Sequence, residues 1–159
     1  MASPREYPER PIVGIGGVLI ENNKALLIRR GSEPLLGQWS IPGGTLELGE
    51  TIVEGVAREL LEETGITVRV LDLIEVFDRI NPYLPADSRE AAPRPRFHFV
   101  IVDHLCEKIS GEAKAGGDAT DVVYVDEEDL PKYQLTEAAT RVLRKAFAMD
   151  RARRSSVRA

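Results

Sequence analysis

Apolar and polar positions alternate along this chain in short blocks, and the period changes from block to block. PIVGIGGVLI (11–20) is apolar almost throughout, loosened by glycines, and reads as a strand. Glu21, Asn22 and Asn23 form a turn signal, and KALLIRR (24–30) reads as a second strand, so the two predict an antiparallel hairpin. Residues 31–42 read as loop. Beyond them Val53, Val56, Ala57 and Leu60 stand at i, i+3, i+4 and i+7, which predicts a helix over 52–64 with that stripe facing the core. Thr51 with Glu54 three residues on has the form of a capping box, and Gly65 before Ile66 is a stop. Thr67–Val76 reads as strand. Residues 78–95 place Pro82, Pro85, Pro93 and Pro95 among charges; the stretch is too long for an ordinary connection and reads as disordered or as a binding loop. RFHFVIVDHL (96–105) predicts a strand, 111–120 a loop, 122–125 a short strand, and 126–129 a helical turn halted by Pro131. Ala139, Val142, Leu143, Ala146 and Phe147 recur at helical spacing and predict a last helix over 136–149, with Thr136 as its N-cap. Helices interleaved with strands, some of them joined by tight turns, predict an α/β (α+β) fold with a mixed sheet and helices on its faces.

Length and composition refine this picture. A chain of 159 residues, 43% hydrophobic, suits one domain with a sizeable core, here 11–149 between a flexible arm (1–10) and a basic flexible tail (150–159). A tail such as RARRSSVRA is more often solvated than bound to an anionic partner. No run of 18 apolar residues is present, which argues against a membrane span, and MASPREYPER lacks the apolar run of a secretory signal. A single cysteine, Cys106, excludes an internal disulfide and fits a reducing cytoplasm. The net charge of −5, without a basic surface laced with aromatics, argues against a nucleic-acid polymer as partner.

The charge is not spread evenly. Residues 44–66 hold six glutamates and one arginine, equal to the net −5 of the whole chain. Glu59, Glu62 and Glu63 fall at i, i+3 and i+4, so they share one helical face, where like charges repel. They also sit in the last turn, where the helix dipole disfavours anions. One reading is a solvated acidic face. The other is a divalent cation, since three carboxylates are hard oxygen donors suited to Mg²⁺ or Mn²⁺.

Gly44, Glu50, Arg58, Glu59, Leu60, Glu62, Glu63, Gly65 and Ile66 together match every fixed position of the Nudix box, and the chain resembles Nudix hydrolases from about residue 10 to 148. The resemblance implies an α/β/α sandwich and hydrolysis of a pyrophosphate in a nucleoside diphosphate linked to another group. It implies Glu59 and Glu63 as direct metal ligands with Glu62 close behind, the Gly43 carbonyl beside them, and Gly43 and Gly44 permitting close backbone approach. Arg58 would orient a carboxylate, with Glu50 as its ion-pair partner. The general base would be Glu59 or, from a late loop, Asp118, with Asp121 less favoured. Gly117 stands where related chains often have an acid, which leaves Asp118 to carry that role or merely to shape a turn.

Outside the box, Arg30 is the preferred phosphate contact, against a solvated arginine at a strand end. Trp39 reads as packing rather than base stacking, His98 and His104 as core or surface histidines, and Cys106 as a small apolar filler. The second half resembles ADP-ribose pyrophosphatase-type members. That implies ADP-ribose as preferred substrate, giving AMP and ribose 5-phosphate, with Tyr83 and Phe77 contributing a nucleobase pocket. The alternatives are a housecleaning nucleoside triphosphate pyrophosphohydrolase acting on oxidised nucleotides, hydrolysis of other dinucleotides or nucleotide-sugars, and a non-catalytic nucleotide sensor. Dimers are common among such members, so a homodimer stays open.

Overall fold

The computed structural model describes residues 5–82 and 94–158. Within them the strands are β1 (Ile12–Glu21), β2 (Lys24–Arg30), β3 (Trp39–Ser40), β4 (Gly43–Thr45), β5 (Thr67–Pro82), β6 (Pro95–Ser110) and β7 (Ala119–Asp126). The helices are α1 (Ile52–Thr64), a 3-10 helix over Glu127–Tyr133, and α2 (Glu137–Arg158). Among the described residues the strands form a seven-stranded mixed sheet in the order β3-β2-β1-β6-β5, with β4 also pairing β1 and β7 pairing β2. β1 runs parallel to β6 from Ile12↔Phe99 to Leu19↔Cys106. The β1–β2 hairpin pairs only near its turn, at Ile20↔Ala25 and Glu21↔Lys24. Beyond that its arms part, and the opening between them faces β4.

The glycine-loosened run of β1 and the apolar run of β2 are buried on both sides, so neither shows a polar face. Alternate residues feed two cores. Val18, Ile20, Ala25 and Leu27 pack with Val142, Leu143, Ala146 and Phe147 of α2. Ile15, Leu19 and Leu26 pack with Val56 and Leu60 of α1. The sheet therefore lies between the two long helices, the α/β/α sandwich that the box resemblance implies.

Four expectations shift. Val53 is half exposed, and the buried face of α1 is Gly55, Val56, Leu60, Glu63 and Thr64. The stripe is rotated because Ile15 and Leu19 meet the helix along Val56 and Leu60. β5 does not stop at Val76. It pairs antiparallel with β6 through Asn81↔Phe97 and Pro82↔Pro95, so residues 78–82 and 95 are strand rather than loop. Proline is tolerated at such strand ends. Residues 83–93, and Tyr83 with them, lie outside the described residues. Pro131 lies inside the 3-10 helix rather than halting it, because Leu130 anchors that turn in the core at 1% exposure.

The basic segment after Met149 continues α2 as far as Arg158. Its arginines find acids: Arg154 pairs with Asp150 at 2.8 Å, Arg151 with Glu127 at 2.8 Å and Arg153 with Glu107 at 3.0 Å. Local sequence could reveal the first partner but not the other two. At the other end, the Tyr7 N–H donates to the Arg96 carbonyl at 2.7 Å, which ties the start of the described chain to β6.

Candidate functional site

α1 is positioned at both ends. At its start, the Thr51 hydroxyl accepts from the Glu54 N–H at 3.2 Å and the Glu54 carboxylate accepts from the Thr51 N–H at 2.8 Å, closing the capping box. At its end, Gly65 takes the left-handed conformation at φ 73° and its N–H donates to the Leu61 carbonyl. The last turn carries no basic side chain. Its carbonyls are met by the following loop instead: the Gly116 N–H donates to Glu63 O at 3.1 Å and the Lys114 N–H to Thr64 O at 2.9 Å. Gly116 lies so close to the Glu62 carbonyl that a Cβ would not fit. This loop also carries Asp118, so the contact that caps the helix brings Asp118 to its acidic face.

Arg58 is the hub of that face. Its Nε and Nη2 donate to the two oxygens of Glu50 at 2.9 and 2.6 Å, Nη1 donates to Glu59 at 2.8 Å and to Glu62 at 3.3 Å, and Nη2 also reaches the Thr45 carbonyl at 3.2 Å. Its bidentate bond holds the Glu50 carboxyl down at about 2. Glu63 is 5% exposed and accepts from the Gly43 N–H at 2.9 Å. Burial pushes its carboxyl up to about 8, helped by the neighbouring charge of Glu59 and opposed by that N–H. Burial also raises Glu59, with Arg58 opposing and Glu62 and Asp118 adding. Gly43 and Gly44 are required here: a Cβ at Gly43 would strike the Ile15 carbonyl, and one at Gly44 would strike the Glu59 carboxylate.

Gly43, Gly44, Arg58, Glu59, Glu62, Glu63, Asp118, Arg30 and Phe77 all line one cavity of about 400 Å³. Glu50 stands behind it as the partner of Arg58. Arg30 is fixed by its Nε bond to the Pro34 carbonyl at 2.6 Å, while Arg29 points away to the Gly37 carbonyl. Asp121 is not among the lining residues; its carboxylate accepts from the N–H of Val122. Trp39 packs edge-on to Tyr133 at 5.6 Å, Cys106 is buried in the α1 core, and His104 has a buried Nδ1 with no hydrogen-bond partner among the described residues.

The cavity also holds residues that the sequence did not single out: Glu47, Phe99, Arg5, Arg79 and Asp103. Asp103 interrupts an apolar strand run, which was the available signal, since a buried acid is costly without a role. Arg79 fell in the stretch read as loop, so its strand position went unseen.

The donor set suits a divalent cation. Four carboxylates, those of Glu59, Glu62, Glu63 and Asp118, meet one cavity wall, and two of them are pushed toward protonation by burial and mutual repulsion. Among the described residues no three such side chains already converge on one point. Glu59 and Glu63 instead engage Arg58 and the Gly43 N–H.

A sequence profile of the NUDIX domain matches residues 10–146, and the chain belongs to that family. It is 37% identical over 122 residues to an ADP-ribose pyrophosphatase of Methanocaldococcus jannaschii, a match covering 77% of this chain and 66% of that one. The chain thus spans just under two thirds of that relative's length. It is 32% identical over 133 residues to nucleoside triphosphatase NudI of Escherichia coli K12, covering 79% of this chain and 90% of that one. Among solved structures, a MutT NUDIX hydrolase from Burkholderia pseudomallei superposes with a TM-score of 0.68 at 30% identity, over 86% of this chain and 98% of the other.

Proposed function

We propose that the protein is a divalent-cation-dependent pyrophosphohydrolase that cleaves a nucleoside diphosphate linked to another group, with ADP-ribose as preferred substrate and AMP and ribose 5-phosphate as products. The observation that carries this reading is the meeting, in one cavity, of the Glu59–Glu62–Glu63–Asp118 carboxylates with the guanidinium of Arg30 and the rings of Phe77 and Phe99. Glu59, Glu62, Glu63 and the Gly43 carbonyl would hold the ion, Mg²⁺ or Mn²⁺. Bound there, it would neutralise the pyrophosphate charge that the carboxylates repel and polarise the phosphorus under attack. Arg30, held by the Pro34 carbonyl, supplies a fixed cation for a phosphate. Arg58 holds one oxygen of Glu59 and leaves the other for the reaction. Glu59 is the preferred general base, because Arg58 engages only one of its oxygens at the cavity wall; Asp118 is the alternative. A small-molecule nucleotide is the partner, and the cytoplasm is the compartment that fits the lone buried thiol of Cys106.

The second reading is nucleoside triphosphate hydrolysis, which the NudI relative favours because its match covers 90% of that protein. One experiment separates the two: purified protein with ADP-ribose or with a nucleoside triphosphate panel, in Mg²⁺ or in chelator, with products resolved by chromatography. AMP from ADP-ribose in Mg²⁺ alone supports the preferred substrate. Cleavage of triphosphates alone replaces it, and no metal-dependent cleavage of either rejects both substrates and moves other dinucleotides and nucleotide-sugars to the front.

A further inference from the structure

Beyond the carboxylate wall the cavity floor is made by sheet residues whose register is fixed. Asp103 of β6 pairs across to Gly16 of β1 and Glu75 of β5, Ile101 pairs with Phe77, and Phe99 with Arg79. Phe99, Ile101 and Asp103 alternate along β6, so they share one face, and all three line the cavity with Phe77 and Arg79. The floor is thus an apolar, partly aromatic bed with a carboxylate and a guanidinium at its margins. Gly16 makes room for the carboxylate, since a Cβ there would strike the Asp103 oxygen. Phe77 is held by the Arg141 guanidinium, 5.5 Å from its ring centre.

Asp103 and Arg79 feel each other but do not bond. Asp103 is 3% exposed, burial pushes its carboxyl up to about 7, and the charge of Arg79 opposes that rise. Burial lowers Arg79, and Asp103 opposes that in turn. Among the described residues no ion pair within 4 Å joins them and no side-chain hydrogen bond engages either. A buried acid and a half-buried guanidinium left apart beside an open cavity leave one acceptor and one donor for something placed between them. A phosphate does not suit Asp103, which would repel it. A cation does not suit Arg79. A flat, uncharged ring with a hydrogen-bond donor beside an acceptor on its edge suits both, and the bed beneath gives it a face to stack on. In strand order β4-β1-β6 the backbone of Asp103 lies two strands from that of Gly43, about 10 Å at ordinary sheet spacing, and its carboxylate leans over Gly16.

We propose that Asp103 and Arg79 read the nucleobase: Asp103 accepts the exocyclic N–H of adenine, Arg79 donates to an adjacent ring nitrogen, and Phe77, Phe99 and Ile101 carry the ring. This deepens the proposed function and rests on it for the choice of adenine. The test compares ADP-ribose with its hypoxanthine counterpart, in which the amino donor is replaced by a carbonyl oxygen. The wild-type protein is expected to favour ADP-ribose in kcat/KM by about tenfold or more, because a site built for a donor rejects an analogue that lacks it. Asp103→Asn keeps the shape and can present either an acceptor or a donor; it is expected to bring the ratio within about threefold. Arg79→Gln, on a partly exposed side chain, is expected to lower the ratio as well and guards against an Asp103 variant that does not fold. Equal use of both compounds by the wild type, or variants that slow both equally, would overturn the subsite while leaving the pyrophosphohydrolase reading intact. If neither compound is cleaved, ADP-ribose falls as the preferred substrate, and the subsite is judged by calorimetric binding of the same two compounds in chelator. The same preference there upholds it; equal binding or none rejects it.

Discussion

Glu59 and Glu63 lie one turn apart on α1 and are held in different ways. One oxygen of Glu59 is tied to a guanidinium, whereas Glu63 is tied to a single backbone N–H in a nearly closed pocket. Glu59→Gln removes a charge that burial and its acidic neighbours already oppose. It is therefore expected to leave the metal-free melting temperature unchanged or higher while cutting hydrolysis by about a thousandfold or more, the loss that follows when a metal ligand and base is neutralised. A loss of stability together with activity would place Glu59 in the framework instead. Arg58→Lys tests the hub. Lysine carries one compact charge and cannot bridge Glu50 in bidentate fashion while also reaching Glu59. Steady-state kinetics are expected to show kcat down by about 10- to 100-fold, the range for residues that orient metal ligands. An unchanged kcat would mean that Glu59 needs no such orientation.

At the scale of elements, α1 does little for itself beyond its caps. Thr51→Ala removes the acceptor for the Glu54 N–H and is expected to cost about 1 kcal/mol, lowering Tm by about 2–4 °C in a domain of this size. Activity at 25 °C should stay within error, since the cap stands outside the cavity; a large kinetic effect would show that the cap also sets the position of Glu59. Signals of this kind were legible in the sequence because they are local: the capping box, the glycine stop, both strands of the first hairpin, and the box, three of whose glutamates share one helical face. What was not legible depended on distant partners. The side of α1 that is buried is chosen by Ile15 and Leu19, not by the helix. The length of β5 is set by its pairing with β6. The extent of α2 depends on Glu127 and Glu107. Arg79 and Asp103 are brought to one cavity by a strand register that no local spacing encodes. The carboxylate wall on α1 and Phe77 could therefore be named in advance, and the Arg79–Asp103 pair could not.

For the whole molecule, the buried acids make stability depend on pH in an unusual direction. Asp103 is raised from 3.8 to about 7, and Glu63 from 4.5 to about 8. Well below 3.8 both groups are protonated in the folded and unfolded chains alike, and neither alters the balance. Between those ordinary values and the raised ones, the unfolded chain has released its protons while the folded chain keeps them. Folding then binds protons, so stability falls as pH rises through this window and levels off above about 8. Glu50, held down at about 2, and Glu75, held below its ordinary value by Arg141, act in the opposite sense only below about 4.5, and His104, lowered by burial from 6.5, does so up to about 6.5, one imidazole against two carboxyls. The metal-free protein is accordingly expected to melt at a lower temperature at pH 8 than at pH 5, measured in chelator. Asp103→Asn should flatten the slope between about pH 4 and 7, and Glu63→Gln should flatten it from about 4.5 to 8. Divalent cation competes with the same protons, so Mg²⁺ should raise Tm more at pH 8 than at pH 5. A metal-free Tm that is level or rising across this range, or variants with the wild-type slope, would mean that water or rearrangement relieves these carboxylates. The acidic wall would then be less enclosed than the structure has it, and the case for a cation as its natural counter-charge would weaken with it.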